Sequence, residues 1–433
     1  MNRATVETQT APAAGVADAD AHAAAPPRRR LDTFGALHRH PNFRVYWTGS
    51  LLSNTGTWMQ TLAQSWLVYQ LTGSALLLGT VNFLQGLPSL FLALVGGVLA
   101  DRIERRKLML ITQVAQMALA LLLAGLTLAG VVRVEQVMVI AFLSGLVNAI
   151  ATPTRQGIIS DLVPREDLQN AIAVSSAQFQ TSQLVGPAIA GVLVATVGAG
   201  WAFLLNGLSF GAVIVSLLML RLPPWKAPAV KVPMWRSARE GVSFVFHHQV
   251  LGTLVLVAAV PALFLRPSQQ SLLPVFAASV LNVGATGLGL LMSANGAGAL
   301  AGALLVASLG RIHHRGLLQL CSGVAYGVAL ILFAASRRLE LSAALLFLGA
   351  AFSMIFTSLN QTFLQTLAPD EMRGRVLSVL TLTTFGMIPL GSFIAGAAAE
   401  QWGAAVVVAA GGAISALFML AVLFTRPAQR NLD

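Results

Sequence analysis

Gly97-Val98-Leu99-Ala100-Asp101-Arg102-Ile103-Glu104-Arg105-Arg106-Lys107 joins an apolar run to a dense basic cluster within a few residues. On either side lie uncharged segments, Ser74 to Ala100 and Leu108 to Val132, each long enough to cross the roughly 30 Å of hydrocarbon in a bilayer. The stretch therefore reads as a short loop between two membrane helices. Its bases Arg102, Arg105, Arg106 and Lys107 hold it on the cytoplasmic side, where short loops collect Lys and Arg. Asp101 is the less expected residue, because at the end of its own helix it meets partial negative charge and needs a partner.

Composition agrees with a membrane chain. Charged residues make up 10% and hydrophobic residues 56%, with mean hydropathy +0.75, against about 25% charged in a soluble domain. The formal charge of +11 is explained better by membrane orientation than by nucleic acid, since the bases fall between apolar runs. Cys321 is the single cysteine, which excludes an internal disulfide and a cysteine-based metal cage. Residues 1–34 are rich in Ala, Pro and Asp and lack the apolar core of a secretory signal; they read as a disordered cytoplasmic tail.

Apolar runs bounded by Gly, Pro or charge number twelve, near 43–71, 76–100, 107–131, 137–159, 168–197, 200–221, 249–280, 286–309, 316–336, 341–366, 374–401 and 404–424. With a cytoplasmic amino terminus, 23 of the 27 Lys and Arg fall in the tails and inner loops. The outer loops hold only Arg133, Arg337 and Arg338, and Arg266 lies within a span. That asymmetry predicts both ends inside, in a bacterial cytoplasmic membrane. The fold expected is all-α and integral to the membrane, with twelve transmembrane helices in two pseudo-symmetric halves, 35–221 and 249–425, and a tail at 426–433. A cytoplasmic linker, 222–248, separates them, and its part from Met234 to Phe246 reads as an amphipathic helix on the inner leaflet. The halves resemble each other: at an offset of 205, Gln156, Pro164, Glu166, Val174, Gly186, Gly191 and Gly198 meet Gln361, Pro369, Glu371, Val379, Gly391, Gly396 and Gly403. Duplicated bundles of this kind are common in transporters. The opening loop has a worn copy in Gly310-Arg311-Ile312-His313-His314-Arg315, without the acid.

The loop from Gly97, with Asp101-Arg102 and a basic pair, resembles the signature between the second and third helices of the major facilitator superfamily. Further stretches resemble the bacterial branch that holds the enterobactin exporter and macrolide-efflux proteins, of the drug:proton antiporter type. These are Trp58, Gln60 and Trp66, Asn148 and Pro153, Leu162-Val163-Pro164 with Asn170-Ala171, and Leu273-Pro274-Val275-Phe276 with Gly289-Leu290-Leu291. The resemblance covers about residues 35–425. It implies a secondary transporter exporting small amphipathic molecules, of the drug or siderophore class, by alternating access with proton antiport. It also implies a conformational latch of Gly97, Asp101, Arg102 and Arg106, in which the Asp caps a helix of the opposite half and the Arg residues pair with acids. Metabolite uptake or uniport without protons, and a non-transporting sensor or scaffold, are the alternatives.

Ser182, Gly186-Pro187 and Gly191 resemble the Gly-Pro motif in the fifth helix of exporters, with Ser182 and Ala190 where that motif prefers Gly. Physically, Ser182, Gly186 and Ala190 recur every fourth residue and make a face for close packing, and Pro187 permits a bend. Polar groups within spans are the candidates for a central cavity. The cavity-lining helices of the superfamily single out Asn54, Trp58, Asn148, Gln269, Gln270 and Gln361. Arg266, set among Pro261, Pro267 and Pro274, either attracts an anionic group or snorkels outward. None of the 16 acids falls clearly at mid-membrane, which leaves Asp101, Asp161 and Glu400 as possible proton carriers. Gly296-Ala297-Gly298-Ala299-Leu300-Ala301-Gly302 mimics a dinucleotide loop but follows no strand. No catalytic group, metal site or cofactor is expected. The expected partners are a small-molecule substrate, membrane lipid and protons, with no nucleic acid, for a monomeric protein.

Overall fold

The computed structural model describes residues 34–220, 243–245, 247–308 and 313–432, and for 93–102 the backbone alone. The tail up to residue 33, nearly all of the linker and the loop at 309–312 lie outside the described residues. Among those described, the chain is helical, with turns between helices and no strand. We number the twelve long helices α1 (Pro41–Thr72), α2 (Ala75–Arg102), α3 (Arg105–Leu128), α4 (Val134–Leu162), α5 (Arg165–Thr196) and α6 (Ala199–Met219). After the linker come α7 (Gln249–Val280), α8 (Gly284–Ser308), α9 (Arg315–Ala335), α10 (Leu339–Leu367), α11 (Asp370–Trp402) and α12 (Ala404–Thr425). A short helix precedes α1 at Gly35–Arg39 and another follows α12 at Pro427–Arg430.

Ten of the twelve are long and apolar enough to cross a membrane. The other two, α1 and α5, are both 32 residues long but carry more polar side chains. Both also pack inside the bundle, α1 on α5 and α6, and α5 on α8. A span surrounded by protein tolerates amides and hydroxyls because neighbouring helices satisfy them. Thus Asn206 Nδ2 of α6 donates to Gln60 Oε1 of α1 at 2.6 Å.

Turn chemistry sets the helix ends. Gly73, at φ 62°, terminates α1 in the left-handed conformation while its N–H reaches Tyr69 O at 2.8 Å, a conformation that costs glycine little. Within α1–α6 the main partners are α2 with α4, α1 with α6, α3 with α6 and α1 with α5; α8 with α10, α9 with α12 and α7 with α11 repeat the pattern in α7–α12. The two sets meet along α2 with α11 and α5 with α8.

Both described chain ends are tied down at one end of the bundle, called here the terminal end. Ala36 N–H donates to Asn170 Oδ1 at 3.0 Å, and Arg39 and His40 both bond Asp167 at 2.8 Å. At the other terminus the short helix buries Gln429, whose Nε2 donates to Gln319 Oε1 at 3.1 Å, while Gln319 Nε2 donates to Asn360 Oδ1 at 2.7 Å. Removing one member of such a chain leaves a buried donor unsatisfied, at a cost of about 1–3 kcal/mol. Asn360→Leu is therefore expected to lower the melting temperature of the purified protein, and Gln361→Leu, at an exposed site one residue on, to leave it unchanged.

Candidate functional site

The α2–α11 and α5–α8 crossings are built on glycine. A Cβ on Gly191 of α5 would sit 2.9 Å from Ala285 O and from Gly289 Cα of α8, and one on Gly289 would sit 2.7 Å from Pro187 O. A Cβ on Gly396 of α11 would sit 2.6 Å from Ala75 O and 3.0 Å from Gly79 Cα of α2, and one on Gly79 would run into Ser392 O. Such separations are shorter than carbon and oxygen tolerate, so backbone touches backbone at both crossings. Gly79 is the fifth residue of α2 and Gly289 the sixth of α8, so both crossings lie about 6–8 Å from the helix starts. That is the distal end of the bundle, away from the termini. There Glu400 of α11 also accepts from Ser74 Oγ and from the Leu76 N–H at the start of α2, both at 3.1 Å. A carboxylate on a helix N-terminus satisfies an orphan donor and opposes the positive end of the dipole.

The small-residue motif of α5 divides between two partners. Ser182, Gly186 and Ala190 are buried. A Cβ on Gly186 would lie 2.7 Å from Trp58 Cβ and 2.8 Å from Thr55 O of α1, and Thr55 Oγ1 donates to Ser182 Oγ at 3.2 Å. Pro187 and Gly191 face α8 instead. Pro187 has no N–H, which releases the Gln183 carbonyl one turn back; a Cβ on Gly296 of α8 would lie 2.8 Å from that oxygen. The apparent dinucleotide loop at Gly296–Gly302 is thus helix packing.

At the terminal end the side chains of Asp101 and Arg102 lie outside the described residues, though their backbone and that of Gly97 belong to α2. Arg106 Nη2 donates to Leu218 O in the last turn of α6 at 2.9 Å, where helix carbonyls carry partial negative charge. Among the described bases of this loop, Arg105 and Lys107 are the ones that pair with acids: Arg105 Nη1 bonds Asp161 Oδ1 at 2.8 Å and Gly157 O at 3.2 Å, and Lys107 Nζ lies 3.1 Å from Glu104 Oε2.

The centre of the bundle is organised by α7, which is not one helix. Gln249–Phe264 gives way at Leu265 to Arg266–Val275, and a π turn follows at Phe276–Val280. Pro261, Pro267 and Pro274 account for the interruptions. Pro267 frees the Leu263 carbonyl, against which Gly391 of α11 packs directly. The segment Arg266–Val275 touches α1, α2, α8, α11 and α12, and Asn82 Nδ2 of α2 donates to its Ser271 Oγ at 3.0 Å. Arg266 is half-buried and Gln269 is 5% exposed, while Gln270 faces outward from the packed side. Tyr326 Oη of α9 donates to Gln269 Oε1 at 2.6 Å. Trp58 packs edge-on to Phe179 with ring centroids 5.9 Å apart; Asn54 is half-buried, and Asn148 and Gln361 are exposed. The structure thus brings Arg266 and Gln269 together on one turn, turns Gln270 of the same segment outward, and leaves the remaining cavity candidates dispersed over α1, α4 and α10.

A family described as transmembrane secretion effectors, of the major facilitator type, matches residues 33–433. The chain belongs to that family. It is 24% identical to the staphyloferrin A transporter of Staphylococcus aureus over 83% of this chain and 90% of that one. It is 29% identical to the multidrug efflux pump Tap of Mycolicibacterium fortuitum, over 82% and 88%. It is 28% identical to the enterobactin exporter EntS of Shigella flexneri, over 80% and 82%. Among solved structures, the nucleoside transporter NupG superposes with TM-score 0.69 at 12% identity, over 90% of this chain and all of that one. A bacterial homologue of the lysosomal transporter Spinster, inward-facing and unoccupied, superposes with TM-score 0.62 at 15% identity, over 93% and 97%. The family and these relatives are transporters rather than enzymes, and this chain is a multi-pass membrane transporter of the major facilitator fold.

In this transporter every described acid sits near a helix end or in a loop. Two of the three acids named as proton carriers have partners, Asp161 in Arg105 and Glu400 in the start of α2. Sequence reasoning did not single out Tyr326, although it is a polar residue on an apolar span. Nor did it indicate the groove of about 550 Å³ between α1, α5 and α6, lined by Leu51, Met59, Val185 and Leu205. Its walls offer Thr55, Thr181 and Ser209 as polar groups, too few to orient a cargo.

Proposed function

We propose that this transporter exports small amphipathic molecules, of the drug or siderophore class, across the bacterial cytoplasmic membrane by alternating access, exchanging them for protons. The observation that carries the reading is the paired glycine crossings, at which the two six-helix sets touch backbone to backbone at the distal end. Contacts that lack side chains separate and re-form without rotamer rearrangement, which suits an interface that opens in each cycle. Relatives named as a multidrug efflux pump and as enterobactin exporters support the outward direction and the cargo class. The excess of Lys and Arg in tails and even-numbered loops supports cytoplasmic termini. We assign the latch at the terminal end to Asp101. We also take Asp101 as the proton carrier, because Asp161 and Glu400 are held by other groups.

Cells making the protein are expected to accumulate less of a fluorescent amphipathic dye than controls. A protonophore restores accumulation, and Asp101→Asn at matched expression abolishes the difference. Export that ignores the protonophore would replace antiport with uniport, the reading that the absence of mid-span acids among the described residues favours. An unchanged dye level would exclude broad drug efflux.

A further inference from the structure

Among the described residues Arg266 is a cation without a counterion. It stands 17 residues into α7 and 14 before its end, about 26 Å and 21 Å from the two ends at 1.5 Å per residue. At that depth the side chain reaches neither interface, so snorkelling does not relieve its charge. The other described Lys and Arg lie in loops or within about two turns of a helix end. No described carboxylate pairs with Arg266. A charge at mid-membrane costs about 2.5–3.5 kcal/mol even on the lower scales, and such charges persist where a function uses them.

Gln269 adds an independent observation. It lies three residues on, hence on the same face of the helix, and is 95% removed from contact with solvent by the 5% exposure that remains. Its Oε1 is taken by the Tyr326 hydroxyl at 2.6 Å, while its Nε2 has no hydrogen-bond acceptor. The tyrosine bond fixes which way the amide points, so two N–H donors remain directed to unfilled need. Buried amides left in this state are uncommon and call for an acceptor. The same turn therefore presents a guanidinium and a carboxamide NH₂, donors only, in the segment that touches helices of both sets.

We propose that Arg266 and Gln269 form an oxyanion-recognition site that selects cargo bearing a carboxylate. A carboxylate accepts two parallel bonds from a guanidinium and keeps lone pairs for the amide. It supplies the missing charge and the missing acceptor together, which a neutral or cationic drug cannot do. The word cargo rests on the export reading; the recognition chemistry does not.

The test uses full-length protein in lipid nanodiscs, with 1-pyrenebutyrate and its neutral amide 1-pyrenebutanamide as matched probes and empty nanodiscs subtracted. Wild type is expected to bind the carboxylate about tenfold more tightly than the amide, a difference of about 1.4 kcal/mol. Arg266→Gln is expected to erase the preference. Gln269→Glu is expected to erase it as well, by placing a permanent carboxylate beside Arg266, and it guards against a fold effect of the first variant. A wild type without preference, or variants that retain it, overturns the proposal. Flux of the amide in proteoliposomes separates the two readings. Flux without carboxylate selectivity leaves export standing and removes this site, whereas selectivity without flux of either probe does the reverse.

Discussion

Gly79→Val is expected to reduce transport to below about a tenth of wild type while the protein still folds and reaches the membrane. The added Cβ runs into Ser392 O and lies 3.1 Å from Gly396 Cα, both backbone atoms that have no rotamer by which to yield. Overpacking of this kind costs about 1–3 kcal/mol, and the whole penalty falls on the state in which the distal end is closed. A penalty of 2–3 kcal/mol on one of two states shifts their ratio roughly 30- to 150-fold. The protein would then rest with α2 and α11 parted near Glu400. Flux in proteoliposomes measures the loss, and faster amide hydrogen exchange over residues 75–80 reports the parting. Gly125→Val, where a Cβ would meet nothing within 4 Å, is the neutral control. Equal flux in Gly79→Val and wild type would show that the crossing does not take part in the cycle.

Gly145→Leu is expected to act by a different route, on folding. Gly145 of α4 packs against the Gln85 carbonyl of α2 so closely that a Cβ has no room at all. Both helices belong to the same six-helix set, so this contact persists whether the distal end is open or closed. Its loss therefore destabilises every state alike, by about 3 kcal/mol or somewhat more for a side chain as large as leucine. The expected result is a sharp fall in the yield of monodisperse protein, with the surviving fraction transporting at the wild-type rate per molecule. A normal yield would show that α2 and α4 can separate without cost. Together the two glycines distinguish contacts that define the fold from contacts that define one conformation of it.

The helices were legible in the sequence to within a few residues. The run at 43–71 corresponds to Pro41–Thr72 and that at 404–424 to Ala404–Thr425; the largest shift is at α11, which begins at Asp370 rather than 374. Apolar length determines a span, so a count of apolar runs finds it. The first turns were missed because caps and acids at helix starts are polar. The break at Leu265 was not legible, since three prolines mark a stress without saying where the chain yields.

The crossings were half visible. The offset of 205 pairs Gly186 with Gly391 and Gly191 with Gly396, but Gly79 and Gly289 are 210 apart and escape a search at one offset. An insertion between repeats hides such a relation from any single register. The adjacent amides Gln269 and Gln270 look equivalent as letters; helical geometry alone sends one toward Tyr326 and the other outward. Glu400 reads as a titratable acid near an interface, and its use as a helix cap depends on a partner 326 residues away in the chain.

The two glycine crossings also bear on ancestry. Gly79 meets Gly396 as Gly289 meets Gly191, with Ala75 and Ala285, and Ser392 and Pro187, in matching places. Helices α2 and α8 are thus equivalent, as are α5 and α11, and a twofold axis through the bundle exchanges them. A six-helix chain pairing with its own copy about such an axis makes an isologous interface, in which one set of residues is used twice. A single glycine arising in that chain would have improved both seams of the dimer at once. Fusion of the two copies then released each seam to change by itself, and the glutamate on the second copy of the shared helix, opposite Ala195 in the first, marks where the seams have since diverged.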